Sequence, residues 1–477
     1  MGAVSIDGIN ITEAIANAKA AIDSDKTLSP GTRSVIEVLL LVVTLLSNRI
    51  GVNSNNSSKP PSSDPNREKK TRKKSNKPQG GQEGHAGSTL EQVENPDQTN
   101  ELKLNRKTLP PGKYMPGGHE SRQVVEIEIS RLIIEYQAEV LIDEKGKRFV
   151  ADFPKGVTRP IQYGSSLKAH AVYMSQYQLI PYKRIEEYFA DQLSIPLSAG
   201  SIFNFNKQAA QLTKTLGAED RIKSELRKSN QMHADETGIN IGGKNHWLHC
   251  ASNVQWTHFH PHKERGKGAM DDADVLPHFG GVLSHDHWKP YYSYTACKHS
   301  LCNAHHVREL EFASEKDNQK WAAQMQTLLF AINDKTHEAG GTLSSRQEKY
   351  YRKKYRALIS KGEAECPGPN PSDRKKGQRG RLKKSKSRNL LDRLRDFECD
   401  VLRFMVDADV PFTNNQGEND IRMTKVQQKI SGCFRSMEGA EIFCSTRGYI
   451  STCRKQGVGA THALTSLFGG TLPSIFN

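Results

Sequence analysis

No cysteine precedes Cys250, and none of the eight in the chain stands at a C-x-x-C spacing from another. Thiols so few and scattered over 477 residues exclude a disulfide-stapled secreted scaffold and fit reduced thiols in a cytoplasmic protein. Long apolar runs are missing too. The most apolar stretch, Val38–Leu46, falls well short of the roughly 20 residues a membrane span needs, so it reads as a buried or self-pairing helix. The first thirty residues lack the apolar centre of a secretory leader, and none is expected. Neither a Walker-type phosphate loop nor a G-x-S-x-G elbow occurs, which removes P-loop nucleotide hydrolysis and serine-hydrolase chemistry. Acidic charge is in deficit: 53 Asp and Glu face 68 Lys and Arg, for a net charge of +15 and a pI near 9.3. That balance favours a polyanionic partner, most simply nucleic acid. An anionic membrane is the alternative, but no basic amphipathic helix with bulky aromatics supports it.

What is present describes roughly three or more domains, with 35% hydrophobic residues and a mean hydropathy of −0.67. Residues 1–50 read as a helical segment broken at Ser29-Pro30-Gly31, with Ile36, Leu39, Leu40, Val43 and Leu46 at helical spacing. Such a stripe packs on its own chain or on a second subunit. Residues 51–100 are polar, proline-broken linker chemistry with a basic run in which Lys69, Lys70, Arg72, Lys73 and Lys74 are candidate DNA-backbone contacts; a solvated tail is the plainer account. Over 101–158 alternation around Val124, Ile127, Ile129 and Ile133–Val140, with a turn at Asp143–Gly146, predicts a small β-ribbon domain. Residues 159–226 predict three short helices with tight turns at Ile180-Pro181 and Ile195-Pro196. This suits a helix-turn-helix reader whose third helix turns Ser201, Asn204, Asn206 and Lys207 towards bases, or simply a three-helix packing unit.

From Asn230 the period changes to strands: Met232–Ile241, Asn245–Ser252 and Trp256–His262, then a helix, a strand over Gly281–Asp286, and another at His299–Cys302. That order predicts the first part, 227–314, of a ribonuclease-H-like α/β core, with Asp235 on the first strand and Asp286 ending the fourth beside it. Residues 315–405, with a basic loop, and 406–477 follow. There an Asn- and Gly-rich turn meets a helix whose first turn carries Glu418 and Asp420, followed by Arg422, Lys425 and Lys429 along one face, and then Arg435. A carboxylate followed by a cationic stripe suits a site that holds a metal ion and a phosphodiester together, although acids at a helix start are also ordinary capping. Asp235, Asp286 and Glu418 together are candidate catalytic and metal ligands. Their oxygens suit Mg²⁺ or Mn²⁺, two ions as in phosphoryl transfer. Cys302 and His305 have a C-x-x-H spacing, but a structural zinc site needs about four ligands and no partner pair is evident, so zinc is not expected and both are read as packing near the site. His258, His260 and His262 share one strand face and read as partly exposed.

Several long stretches, in order, resemble the insertion-sequence-66 family of DDE transposases. They are Asn53-Ser-Asn-Asn-Ser-Ser-Lys-Pro-Pro-Ser-Ser-Asp64, Gly81-Gln-Glu-Gly-His85, Ala234-Asp235-Glu236-Thr237, His285-Asp286-His-Trp-Lys-Pro-Tyr291, Cys302-Asn-Ala-His305 and Arg388-Asn-Leu-Leu-Asp-Arg-Leu394. The strongest runs from Val410-Pro-Phe-Thr-Asn-Asn-Gln-Gly-Glu418 to Lys429-Ile-Ser-Gly-Cys-Phe-Arg435. The resemblance implies a triad of Asp235, Asp286 and Glu418, metal-dependent cleavage at element ends, strand transfer into target DNA, a homo-oligomer on DNA, and small companion proteins of the same element. The resemblance also implies a helical insertion with a basic loop over 315–405 and a core completed by 406–477; the gap of 132 residues between Asp286 and Glu418 agrees, and nine cations and no acid lie between Arg374 and Arg388. One departure stands out: the paired C-x-x-C motifs usual in the family's ribbon domain are absent. A hydrolytic ribonuclease-H-like nuclease or resolvase, and a catalytically silent DNA-binding regulator, are the alternatives.

Overall fold

The computed structural model describes residues 5–6, 9–25, 27–50, 90–370, 372, 374 and 379–477. The basic run containing Lys69, Lys70, Arg72, Lys73 and Lys74 lies outside the described residues. At the start, the two-residue strands β1 (Ser5–Ile6) and β2 (Ile9–Asn10) pair antiparallel ahead of helices α1 (Ile11–Ser24) and α2 (Pro30–Ile50). The corner between the helices is tied by Arg33, which donates to the carbonyls of Ile22 and Asp25. On α2, Val35, Val38, Leu39, Leu41, Val42, Val43 and Leu46 are exposed.

The ribbon expected over 101–158 reduces to one hairpin, β3 (Val140–Ile142) with β4 (Arg148–Val150). Its turn is set by Asp143, whose Oδ1 accepts from the main-chain N–H groups of Lys145 and Lys147. Val124, Ile127, Ile129 and Ile133 enter no strand and stay exposed. Alternation supplies an apolar face, but no helix or second sheet covers it, and a lone hairpin is marginal in water.

Four helices follow: α3 (Ser165–Val172), extended by a π turn over Tyr173–Tyr177, then α4 (Tyr182–Leu193), α5 (Ala199–Thr215) and α6 (Ala218–Lys228). In α4 the buried Ile185 and Phe189 are one turn apart on an otherwise polar helix, and Ser194 ends it in the left-handed region at φ 49°. Ser198 caps α5 by accepting from the N–H of Ser201. These helices share one apolar core with the sheet and the C-terminal helices, through Ile202, Phe205, Ile450 and Leu464 among others.

The five-stranded sheet comprises β5 (Gln231–Ile241), β6 (Lys244–Ser252), β7 (Thr257–His262), β8 (Val282–His285) and β9 (Lys298–Leu301), in the order β7-β6-β5-β8-β9. β5, β6 and β7 form an antiparallel meander, while β8 and β9 run parallel to β5. Gly242 and Gly243, both at positive φ, make the two-residue turn between β5 and β6. Helix α7 (Lys267–Asp272) precedes β8.

Beyond β9 come α8 (Asn303–Lys316), α9 (Lys320–Glu338), α10 (Ser345–Glu365), α11 (Lys386–Asp396) and the short α12 (Glu398–Val401), built around Trp321, Leu329, Tyr355, Leu391 and Met405. Each such fully buried apolar side chain contributes about 1.5–3 kcal/mol. A capping box between Ser344 and Gln347 starts α10. The chain then returns to the sheet through α13 (Asn415–Ser431), α14 (Met437–Lys455) and α15 (Ala460–Phe468), with α13 against β5 and α14 against β7. The whole is a mixed α/β architecture with a mixed sheet. Among the described residues no helix is long and apolar enough to cross a membrane.

Candidate active site

Strand alternation separates two neighbouring acids. Asp235 stands opposite Cys250 on β6, which stands opposite Phe259 on β7, and this face packs on α13 and α14. Glu236 stands opposite His249 and, beyond it, His260, on the other face. β8 pairs with β5 from Gln231↔Val282 to His233↔Ser284, so continuing that register brings Asp286 level with Asp235. The Oδ1 of Asp286 accepts from the N–H of Trp288 at 2.9 Å, and the Oδ1 of Asp235 accepts from the N–H of Glu236 at 2.9 Å.

Glu418 comes from the first turn of α13. That helix lies close on β5: a Cβ added at Gly417 would sit 3.5 Å from the Cβ of Asp235. Buried Asn414 joins the start of α13 to β5 and to Cys302. Its Nδ2 donates to the carbonyl of Ala234 (3.0 Å), its N–H donates to the Sγ of Cys302 (3.1 Å), and its Oδ1 meets His233 Nδ1 at 2.6 Å. An amide oxygen can only accept, so His233 carries its proton on Nδ1. Asp420, expected in the same first turn, lies beyond it because α13 begins at Asn415, and it is committed to Lys455 at 2.8 Å. Glu418 is therefore the acid left to the site.

Electrostatics couples these groups. Burial pushes the carboxyl of Asp235 well above the usual range, and the nearby charges of Glu236, Asp286 and Glu418 push it further. Such a pocket favours bound cations. Glu236, with a side chain only 2% exposed, is raised by burial and by Asp286. It is held by Arg265 and by the hydroxyl of Tyr291, and Arg265 is stacked between Trp247 (4.7 Å) and Trp288 (4.3 Å). Sequence reasoning missed Glu236, Arg265, Tyr291 and Asn414. Only the adjacency of Glu236 to Asp235 hinted at one of them.

The basic candidates divide. Arg422, Lys429 and Arg435 are exposed, whereas Lys425 donates to the carbonyl of Gly238 at 2.5 Å and its ammonium is pushed down by burial. On α5, Asn204 is exposed and Lys207 pairs with Glu438 at 2.7 Å, while the hydroxyl of Ser201 faces that of Ser198. Asn206 cannot face bases: it is fully buried, donating to the hydroxyl of Tyr182 and accepting from Ser175. His258 is likewise buried rather than partly exposed, and its ring stacks on His260. Burial keeps His260 neutral, its pKa lowered to about 4.

Among the described residues, Cys302, His305 and Glu418 bring ligand atoms within 4.8 Å of one another, a mutual closeness that Asp235, Asp286 and Glu418 do not reach. The donor set of the three carboxylates, all oxygen, fits a hard divalent ion.

The family model of the transposase IS66 family matches residues 160–442, well over half of the chain and every carboxylate of the site. The chain belongs to the transposase IS66 family. A second model, a family of unknown function (DUF6444), matches residues 10–91, which include α1 and α2. No curated protein matches the chain. The IS66 match begins just before α3 and ends inside α14, so it takes in the sheet, the helical insertion between Asp286 and Glu418, and α13.

Proposed function

We propose that this IS66-family transposase is a DDE-class enzyme that cleaves DNA at the ends of its element and joins them to target DNA. The observation that carries this reading is the convergence of three acids: the β5–β8 register brings Asp286 level with Asp235, and α13 lies against Asp235 at Gly417, next to Glu418. The strand order and pairing support a ribonuclease-H-like core interrupted by the helices of 303–401. Asp235 and Asp286 would hold divalent ions from the sheet, and Glu418 from α13. Mg²⁺ or Mn²⁺, as a pair, supplies activation of the attacking oxygen and stabilisation of the leaving oxygen. The remaining work belongs to the chain. The N–H of Trp288 orients Asp286, Asn414 fixes where α13 begins relative to β5, and Arg265 with Tyr291 fixes Glu236 beside Asp235. Arg422 and Lys429 are exposed on α13 and Arg435 is exposed beyond it, against the β5–β6 turn, and all three suit phosphate contacts. The exposed apolar face of α2 supports self-association on DNA, and companion proteins of the same element complete the reading.

The test uses labelled DNA carrying the element's own ends, with Mg²⁺, Mn²⁺ or EDTA. Wild type gives metal-dependent cleavage and joined products. Asp235→Asn and Glu418→Gln each lower cleavage at least about a thousandfold while end binding persists. Cleavage without joined products would reduce the reading to a hydrolytic nuclease, and retained cleavage in Asp235→Asn would remove the triad.

A further inference from the structure

A C-x-x-H spacing supplies two ligands; the fold supplies a third. Cys302 precedes the first turn of α8 and His305 lies on that turn, while Glu418 arrives from α13, and their ligand atoms all lie within 4.8 Å. Bonds of about 2.0–2.3 Å at tetrahedral angles separate ligands by roughly 3.3–3.8 Å. His305 Nδ1 and Glu418 Oε1 are already 3.9 Å apart. Both of these atoms are buried and neither has a hydrogen-bond partner, which is unusual for two polar groups facing each other across a gap. The sulfur, by contrast, has a donor: the N–H of Asn414 reaches it at 3.1 Å, while the N–H of His305 is donated to the Cys302 carbonyl. A main-chain donor on a buried sulfur suits a thiolate. Burial holds the thiol protonated in the metal-free chain, so a cation must displace that proton.

We propose that Cys302 Sγ, His305 Nδ1 and Glu418 Oε1 form a binding site for a thiophilic divalent ion of the Zn²⁺ class, with a fourth position open. It is distinct from the all-oxygen Mg²⁺ site proposed above and shares only Glu418 with it. A carboxylate has two oxygens, so Glu418 can serve both sites, one oxygen to each. Binding forms the sulfur–metal bond as the thiol proton leaves to solvent, and no oxidant or reductant is required. The three ligands differ in softness, which is the means of selection: sulfur and imidazole favour zinc or cobalt over magnesium.

The experiment titrates the metal-stripped full chain with Zn²⁺ against a chromophoric chelator, and separately with Co²⁺ while recording its spectrum. A background of Cys399→Ser with Cys433→Ser removes the thiols that are not buried. The expected result is one ion per chain and a thiolate-to-cobalt charge-transfer band. Cys302→Ser abolishes the band and weakens zinc binding about a hundredfold or more, and His305→Asn and Glu418→Gln keep the band but weaken binding at least about tenfold. Circular dichroism melting checks that each variant folds; should Cys302→Ser unfold, the other two carry the test. No band in the wild-type background, a band that survives Cys302→Ser, or unchanged zinc affinity in both His305→Asn and Glu418→Gln would overturn the site. Because the readout needs neither DNA nor Mg²⁺, a failure here leaves the cleavage test above standing, and zinc binding by a chain that does not cleave leaves this site standing.

Discussion

Asp235 carries a charge it can hold only with help. Its carboxyl is raised above the ordinary range by burial and by three neighbouring acids, so the folded, metal-free chain keeps a proton there to higher pH than the unfolded chain does. The sign follows from linkage: a raised folded pKa gives stability that is present below the unfolded value and is lost as pH climbs through the folded one. The melting temperature of the metal-free protein should therefore fall as pH rises from the ordinary carboxylate range, and Mg²⁺ should restore it. Asp235→Asn should flatten that dependence and melt higher than wild type at neutral pH without metal; a variant that keeps the wild-type slope would place the slope elsewhere. Arg265 answers to the same physics from the other face of the sheet. It is the cationic partner of a Glu236 side chain only 2% exposed. Arg265→Ala leaves that carboxylate with Tyr291 alone and should cost about 2–3 kcal/mol by urea unfolding. Part of this is the stacking lost on Trp247 and Trp288. Glu236→Gln in the same background should return much of the loss, because the stranded charge is then gone.

At the scale of elements, periodicity read well wherever an element is half-buried. Strands β5, β6 and β7 fall within a few residues of their expected spans, and α4 lies between the turns expected at Ile180-Pro181 and Ile195-Pro196, because one face of each meets a core and the pattern records it. The stretch around Val124–Ile134 carried a similar alternation and forms no strand, since sequence cannot say whether a second layer will cover an apolar face. The placement of α5 was opaque for a related reason: its fit against α14, which pairs Lys207 with Glu438, depends on contacts more than 200 residues apart, and Asn206 is buried against Ser175 and Tyr182 on the preceding elements. Asn414 is the sharpest case. Inside Thr413-Asn-Asn-Gln416 it reads as one more turn residue, yet it ties α13 to β5 and to Cys302. Asn414→Ala strands His233 Nδ1 and the carbonyl of Ala234 in the interior. At about 1–2 kcal/mol for each unpartnered group, the loss should be roughly 2–4 kcal/mol. Cleavage should fall further than stability alone explains, because Glu418 begins one turn later on the same helix. Comparing cleavage at a temperature where both proteins are fully folded separates the two effects.

For the whole molecule the deciding quantity is charge. An excess of 15 positive charges is spread unevenly: seven cations fall between Arg67 and Lys77 and nine between Arg374 and Arg388. Neither run brings an apolar residue with which to build a core of its own beyond Leu382; Lys384 and Arg388 pair with Asp392 on α11, and the excess of cations over acids in both runs adds to the field around the protein. Cations that neutralise phosphates release counterions, and the logarithm of the DNA-binding constant then falls with the logarithm of salt by about 0.9 per phosphate contacted. Replacing Lys69, Lys70, Arg72, Lys73 and Lys74 by Gln should reduce that slope by up to about 4.5 if all five touch the backbone. The effect should be equal on element-end and unrelated DNA, since backbone contacts carry no sequence information. Asn204→Ala on the exposed face of α5 should do the opposite, leaving the slope unchanged and lowering only the preference for element ends. A fluorescence-anisotropy salt series on both DNAs distinguishes the outcomes: an unchanged slope in the fivefold variant would make that run a solvated linker, and an unchanged preference in Asn204→Ala would remove α5 as the reader of the ends.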